Sequence, residues 1–173
     1  MAARIQLLVL DVDGVMTDGR LYYGPRGEAL KIFHVRDGKG IQLLDAAGVQ
    51  VAVISGRRSR MVALRCRELG VRHVMQDAQD KVAAFAKLRA RLRVPAGECA
   101  CVGDDVLDVP LMGKVGLAFA VADAHPAALR AAHVVTSLPG GYGAVREVCD
   151  YLVDARQGKS RPTRSSRRKP ARR

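Results

Sequence analysis

The chain has 173 residues, a formal net charge of +12 and 49% hydrophobic residues with no tryptophan. That length suits one domain whose core needs no disulfide or metal staple, and no apolar run approaches the ~18 residues of a membrane span. Nine basic residues and no acid fall in 156–173, so the remainder carries only about +3 and the basic balance belongs to a tail.

Residues 5–10 (IQLLVL) form a short continuous apolar run and predict a strand buried on both faces, the kind found in parallel sheets. Asp11 cuts this run well short of a signal-peptide core, so no leader and a cytoplasmic location are expected. Residues 21–23 and 29–34 flank the turn-rich Gly24-Pro25-Arg26-Gly27 and predict a hairpin. Apolar residues at helical spacing over 40–47, closed by Gly48, predict a helix.

Strand and helix then alternate. Strands are predicted over 49–54, 72–75, 99–102, 115–120 and 133–135. Helices are predicted over 59–69, with Ser59 as a cap, and over 80–92, 106–112, 126–131 and 144–154. Cys99 and Cys101 share a strand face, and with Cys66 and Cys149 they form no CxxC and no cluster with histidine. Small buried hydrophobes in a reducing compartment are expected, with no zinc site. The alternation predicts an α/β fold: a Rossmann-like, doubly wound parallel sheet over residues 1–157, with a small β-hairpin insertion over about 19–34 and no cap domain. The stretch 158–173 holds Arg, Lys, Ser and Pro but no large apolar residue, and disorder is its expected state.

Ligands of such sheets bind beyond the carboxyl ends of the strands. The first strand is followed by Asp11-Val12-Asp13-Gly14-Val15-Met16-Thr17-Asp18. The second central strand is followed by Ser55-Gly56-Arg57. Lys81 opens a later helix, and Gly103-Asp104-Asp105 with Asp108 follow strand 99–102. Carboxylates gathered at adjacent strand ends repel one another unless a cation holds them ionised. An all-oxygen donor set without Cys or His points to magnesium, which leaves coordination positions for phosphate oxygens. A hydroxyl and an ammonium on the same rim suit phosphoryl transfer.

The order DxDGxxT, SGR, helix-initial Lys, GDDxxD resembles the four motifs of haloacid-dehalogenase (HAD) phosphatases. More closely, LLVLDVDGVMTDGRLYYGPRGEALKIFHVRDGKGIQLL, ISGRRSRMVALRCRELGV, CVGDDVLDVPLMGKVGLAFAVADAHP and GAVREVCDYL resemble the 3-deoxy-D-manno-octulosonate (KDO) 8-phosphate phosphatases. Those enzymes serve the synthesis of the inner-core sugar of lipopolysaccharide. The resemblance spans about residues 5–159. It implies an Mg2+-dependent phosphatase acting on an anionic sugar phosphate, with Asp11 as nucleophile and metal ligand. It implies Asp13 as acid and base, its carbonyl also on the metal, and Asp104 as a further ligand. Ser55 and Lys81 would hold the phosphoryl group, Asp108 would orient Lys81 or a metal-bound water, and Asp105 and Gly14 would support the site. His34, Val35, Arg36, Asp37 and Gly38 (HVRDG), Arg57 and Arg65 would contact substrate.

The same resemblance implies a homotetramer whose hairpins associate. Tyr22, Tyr23, Ile32 and Phe33 are interface candidates, unless they pack on their own domain. Arg57 stands where relatives acting on nine-carbon keto-acids tend to carry Glu, which favours the eight-carbon substrate. Two departures stand out: Tyr142 replaces the arginine of a GGRGA sequence, and His34 replaces asparagine.

Three rival readings remain at this stage. One is a phosphatase of another sugar-acid phosphate. Another is a non-catalytic regulatory or oligomerisation domain, against which Asp13 speaks. The last is a tail-driven nucleic-acid binder. The tail has no aromatic residue for base stacking, so non-specific polyanion contact or collection of anionic substrate is expected of it, and no specific nucleic-acid or membrane partner.

Overall fold

The computed structural model describes residues 1–159. Beyond Lys159 the expectation of a disordered tail lies outside the described residues. The chain opens with a short helical turn and enters β1 (Leu7–Leu10). The hairpin β2 (Tyr22–Gly24) and β3 (Gly27–Leu30) comes next, then α1 (Val35–Ala46) and β4 (Gln50–Ile54). α2 (Arg60–Glu68), β5 (His73–Met75), α3 (Lys81–Leu92) and β6 (Cys99–Gly103) follow. α4 (Val109–Met112), β7 (Leu117–Ala120), α5 (Pro126–Ala131), β8 (Val134–Val135) and α6 (Ala144–Arg156) complete the domain.

Six strands form one sheet in the order β5-β4-β1-β6-β7-β8, and every pairing is parallel. β1 and β7 are buried throughout, and β4 is buried beyond its first residue, as continuous apolar runs covered on both faces must be. The chain leaves β1 toward β4 on one side and later returns to β6 on the other. The order therefore reverses at β1, and the crevice beyond its carboxyl end is where such a sheet accepts a ligand.

Three predicted elements differ from the structure. The hairpin turn is tight, with Gly24 opposite Gly27, and β3 ends at Leu30 rather than running to residue 34. The ladder stops there because Lys31 turns inward, where its side chain is 2% exposed. α1 begins at Val35, not at residue 40. Its first turn carries Asp37, and Gly40 leaves room for α6: a Cβ there would lie 3.0 Å from Cα of Arg146. Close approach, not propensity, favours these glycines in a helix. α4 begins only at Val109, because the side chain of Asp108 accepts N–H groups of the preceding turn. Ser59 does stand at the N-cap of α2, yet its side chain does not cap the helix; its hydroxyl donates to Glu28. Asp80 caps α3 by accepting the N–H of Ala83 at 2.9 Å.

All four cysteines are unpaired and buried. Burial pushes the thiols of Cys66 and Cys99 up to about 11, so they act as small apolar side chains. Among the described residues no helix is long and apolar enough to cross a membrane.

Candidate active site

Register decides which residues meet. Leu10 lies opposite Val53 on one side and Val102 on the other. Adjacent strands are spaced by ~4.8 Å, so Asp11, Ser55 and Asp104 emerge side by side from the ends of β1, β4 and β6. The N–H of Asp11 donates to the carbonyl of Val102 at 3.2 Å, which locks the two strand ends together. Lys81, first residue of α3, reaches the same point and is buried.

The carboxylates of Asp11, Asp104 and Asp108 each place one oxygen within 4.8 Å of the others. Lys81 Nζ lies 2.9 Å from Asp11 Oδ1 and 2.7 Å from Asp108 Oδ1. Asp108 is buried, and its other oxygen accepts the N–H groups of Asp104 at 3.0 Å and Asp105 at 3.3 Å. It is thereby committed to orienting Lys81 and the 103–105 loop. Asp104 differs: its Oδ1 is buried and has no hydrogen-bond partner among the described residues. One ammonium among three carboxylates leaves the cluster negative. Burial, then Asp11, Asp108 and Asp105, push the Asp104 carboxyl up to about 8. Burial and Asp108 push Asp11 up to about 6 against the pull of Lys81. Burial works to lower the Lys81 ammonium, but Asp11 and Asp108 outweigh it and hold it above its ordinary value. An unpartnered carboxylate oxygen in an all-oxygen, over-negative cluster is what a hard divalent cation satisfies, so these residues fit magnesium. Gly14 is part of the fit. Its φ is +88°, and a Cβ there would lie 2.0 Å from Asp104 Oδ2.

The loop after β1 is drawn tight by Thr17, which is buried. Its hydroxyl accepts from the N–H of Gly14 and of Gly19 and donates to the carbonyl of Val12. Ser55 is buried at the end of β4, and its hydroxyl accepts the N–H of Arg57 at 3.3 Å. Asp105 is exposed and caps its own turn through the N–H of Val106.

The Asp13 carboxylate is paired with cations from the hairpin region and from the loop after β4. Its Oδ1 accepts from Lys31 Nζ, and Arg57 Nε stands 3.7 Å from its Oδ2. Lys31 also pairs with Glu28 at 3.1 Å. Glu28 in turn meets Arg57 Nη2 at 3.6 Å and accepts from the hydroxyl of Ser59. Arg57 Nη2 donates to the Tyr23 hydroxyl at 3.2 Å. Sequence reading singled out neither Lys31 nor Glu28 as a site residue. The one signal available was a lysine inside the apolar run Leu30-Lys31-Ile32-Phe33 of a predicted strand, where a buried charge demands a partner.

The HVRDG residues divide. Val35 and Arg36 are exposed at the start of α1, and His34 is its half-buried N-cap residue. Asp37 is buried, and its Oδ1 accepts the N–H of Arg146 at 2.8 Å. It thus closes the N-terminus of α6, whose own cap residue, Gly143, has no side chain. Burial raises the Asp37 carboxyl. Gly38 is shaped by Arg65: a Cβ at Gly38 would lie 2.4 Å from Arg65 Nη2, while Arg65 Nη1 pairs with Glu68 at 2.9 Å.

The 139–143 loop buttresses the site from behind. Gly141 N donates to the carbonyl of Val15 at 3.0 Å, and Gly140 N donates to Asp123 at 3.0 Å. A Cβ on Gly140 would lie 1.7 Å from the carbonyl oxygen of Gly14. Gly140→Ala therefore displaces the 11–18 loop. The expected result is a loss of about 1–3 kcal/mol in stability together with lower activity. A Cβ on Gly97 meets nothing within 4 Å, so Gly97→Ala stays within about 0.5 kcal/mol of wild type. Thermal melts of the two variants check this.

Comparison with known proteins identifies the family. Residues 68–139 match the haloacid dehalogenase-like hydrolase family. The chain is 50% identical over 152 residues to the 3-deoxy-D-manno-octulosonate 8-phosphate phosphatase KdsC of Yersinia pestis, covering 88% of this chain and 81% of that protein. It is 50% identical over 158 residues to KdsC of Escherichia coli K12, covering 91% and 84%. The crystal structure of the Yersinia pestis phosphatase superposes with a TM-score of 0.87 at 50% identity, over 91% of this chain and 85% of that one. The Moraxella catarrhalis phosphatase, solved in complex with magnesium, phosphate and KDO, superposes with a TM-score of 0.88 at 36% identity, over 91% and 90%. With half its residues identical across nine-tenths of its length, the chain belongs to the 3-deoxy-D-manno-octulosonate 8-phosphate phosphatase family of haloacid-dehalogenase-like hydrolases.

Proposed function

We propose that this protein is a magnesium-dependent phosphatase that hydrolyses KDO 8-phosphate to the free sugar acid and phosphate, in the synthesis of the lipopolysaccharide inner core. The observation that carries the reading is the half-buried Asp11–Asp104 pair, with buried Lys81 alongside and one carboxylate oxygen of Asp104 unpartnered among the described residues. In this reading the catalytic domain spans 1–157.

Asp11 attacks phosphorus with the carboxylate oxygen not held by Lys81. The bond from phosphorus to the sugar oxygen breaks, and Asp13 gives that oxygen a proton. Water then attacks the phosphoaspartate, Asp13 takes its proton, and phosphate leaves Asp11. Lys81 and Ser55 hold the transferring oxygens. Magnesium, held by Asp11, Asp104 and the carbonyl of Asp13, supplies neutralising charge to the phosphoryl group. Arg57, Arg65 and the 34–38 segment read the sugar acid, with Asp37 and Gly38 acting by fixing how that segment sits.

Homotetramerisation belongs to the same reading. The hairpin carries exposed Leu21, Tyr23, Leu30 and Ile32, with Tyr23 at 64% and Ile32 at 53% exposure, a patch suited to association. Phe33 packs against the core instead. A cytoplasmic location fits the unpaired cysteines.

The test is phosphate release with magnesium from KDO 8-phosphate, a nine-carbon keto-acid phosphate and simple sugar phosphates. We expect strong preference for the eight-carbon substrate and loss of release when magnesium is chelated. Equal, weak activity on all of them would discard the named substrate. Silence on all would discard catalysis itself.

A further inference from the structure

We propose that Lys31 is a positioning residue for the proton transfer at Asp13, with Glu28 as the anchor that holds it in place; this rests on the phosphatase reading above. Lys31 is the buried cation of a hairpin whose apolar residues are otherwise largely exposed. Burying an ammonium is costly, and a buried ion pair is often no more stable than an apolar replacement of the same volume. Its presence therefore calls for something an apolar residue cannot do. Here that is direction. Lys31 Nζ donates to Asp13 Oδ1, so that oxygen is occupied. Among the described residues Oδ2 accepts no hydrogen bond, and the cation that pairs with it, Arg57 Nε, stands 3.7 Å away, outside hydrogen-bond reach. Oδ2 is thus the oxygen free to give a proton to the leaving sugar oxygen and to take one from water.

Glu28 explains how the lysine is held. It pairs with Lys31 at 3.1 Å, accepts from the hydroxyl of Ser59 and stands 3.6 Å from Arg57 Nη2. Burial opposes ionisation of Glu28, but Ser59, Lys31 and Arg57 together keep its carboxyl below the ordinary range. Glu28 lies on β3, Lys31 directly after it, Asp13 in the loop after β1, Arg57 in the loop after β4, and Ser59 at the start of α2. The network therefore ties the hairpin's seating to the group that moves the proton and to a residue facing the substrate. A hairpin that shifts takes Lys31 with it, and Asp13 loses its orientation.

The test separates proton transfer from general damage by the leaving group. A sugar alkoxide needs a proton to depart. p-Nitrophenolate does not. Formation of the phosphoenzyme is followed in single turnover with magnesium, for wild type, Lys31→Met and Glu28→Gln, using KDO 8-phosphate and p-nitrophenyl phosphate. A misdirected acid costs about tenfold to a hundredfold. Lys31→Met is therefore expected to slow the step by that factor on the sugar phosphate, and by less than about threefold on p-nitrophenyl phosphate. Glu28→Gln, which keeps the side-chain shape, should show the same asymmetry at smaller size. Equal losses on both substrates, in variants whose melting temperature matches wild type, would assign Lys31 a merely structural role and overturn the proposal. So would wild-type rates on both. If Lys31→Met does not fold, Glu28→Gln decides alone by the same criterion. Wild-type protein that forms no phosphoenzyme from either substrate would overturn the phosphatase reading, and this inference with it.

Discussion

Asp11→Asn should abolish magnesium-dependent phosphate release, a loss of about 10^4-fold or more on the scale seen for deleted nucleophiles, and leave the fold standing. The side chain keeps its shape at the end of β1 but loses the charge that attacks phosphorus in the proposed mechanism. The fold survives because the strand-end contact to Val102 is made by the backbone N–H, which the substitution does not touch. The carboxyl of Asp11 is held up at about 6 by burial and by Asp108, so near neutral pH it is ionised against an opposing environment. A neutral amide removes that penalty, while Lys81 keeps Asp108 at 2.7 Å. The variant should therefore melt no lower than wild type in the absence of magnesium. Acid-quenched protein incubated with substrate and weighed by mass spectrometry should show a phosphoryl adduct for wild type and none for Asp11→Asn. Substantial phosphate release by the variant would refute a covalent path through this residue.

Asp104→Asn should separate stability from activity in opposite directions. The ordinary carboxyl value is 3.8, and in the folded chain Asp104 sits at about 8. Between those values the folded state holds a proton that the unfolded chain has released. Stability without a divalent cation is therefore fullest near the lower value and is lost as pH rises through the upper one. A divalent cation binds the ionised carboxylate, so its stabilising effect grows with pH over the same window. Melting curves of wild type should show the widest gap between magnesium and chelator at about pH 8, and a narrow gap at about pH 5. In Asp104→Asn the group no longer titrates. Its magnesium-free melting temperature should exceed wild type at the higher pH, on a scale where each kcal/mol moves a domain of this size by roughly 2–4 °C. The magnesium effect should largely vanish, and phosphate release with it. A residual slope up to about 6 remains, set by Asp11. A variant that keeps the full magnesium shift would remove Asp104 from the metal site.

How the sequence placed this site, and where it stopped, follows from the range of the forces involved. The strand β1 and the acids that end it could be read because a strand buried on both faces must be apolar throughout, and the first charge marks where it leaves the sheet. The start of α1 was misread because Val35 to Gly40 mixes exposed, charged and glycine positions. Those glycines answer to Arg65 and to α6, which are distant in sequence. Asp37 shows the same limit from another side. Beside His34 and Arg36 it looked like part of a binding segment, yet its carboxylate closes the N-terminus of a helix more than a hundred residues away.

The sequence by itself determined the sheet, the residues at its strand ends and the chemical character of the site. Each of these is written locally, as hydrophobic period, turn residue or motif order, and the resemblance to a known family then gave the substrate. Only the tertiary structure decided which charges face one another. Strand order brings Asp11, Ser55 and Asp104 together; on strands in another order the two acids would not stand side by side. The seat of Asp13 depends on Lys31, Glu28 and Arg57, which reach it from a hairpin and a loop after a different strand. A buried charge must find its partner in space, and spacing along the chain does not say which partner that is.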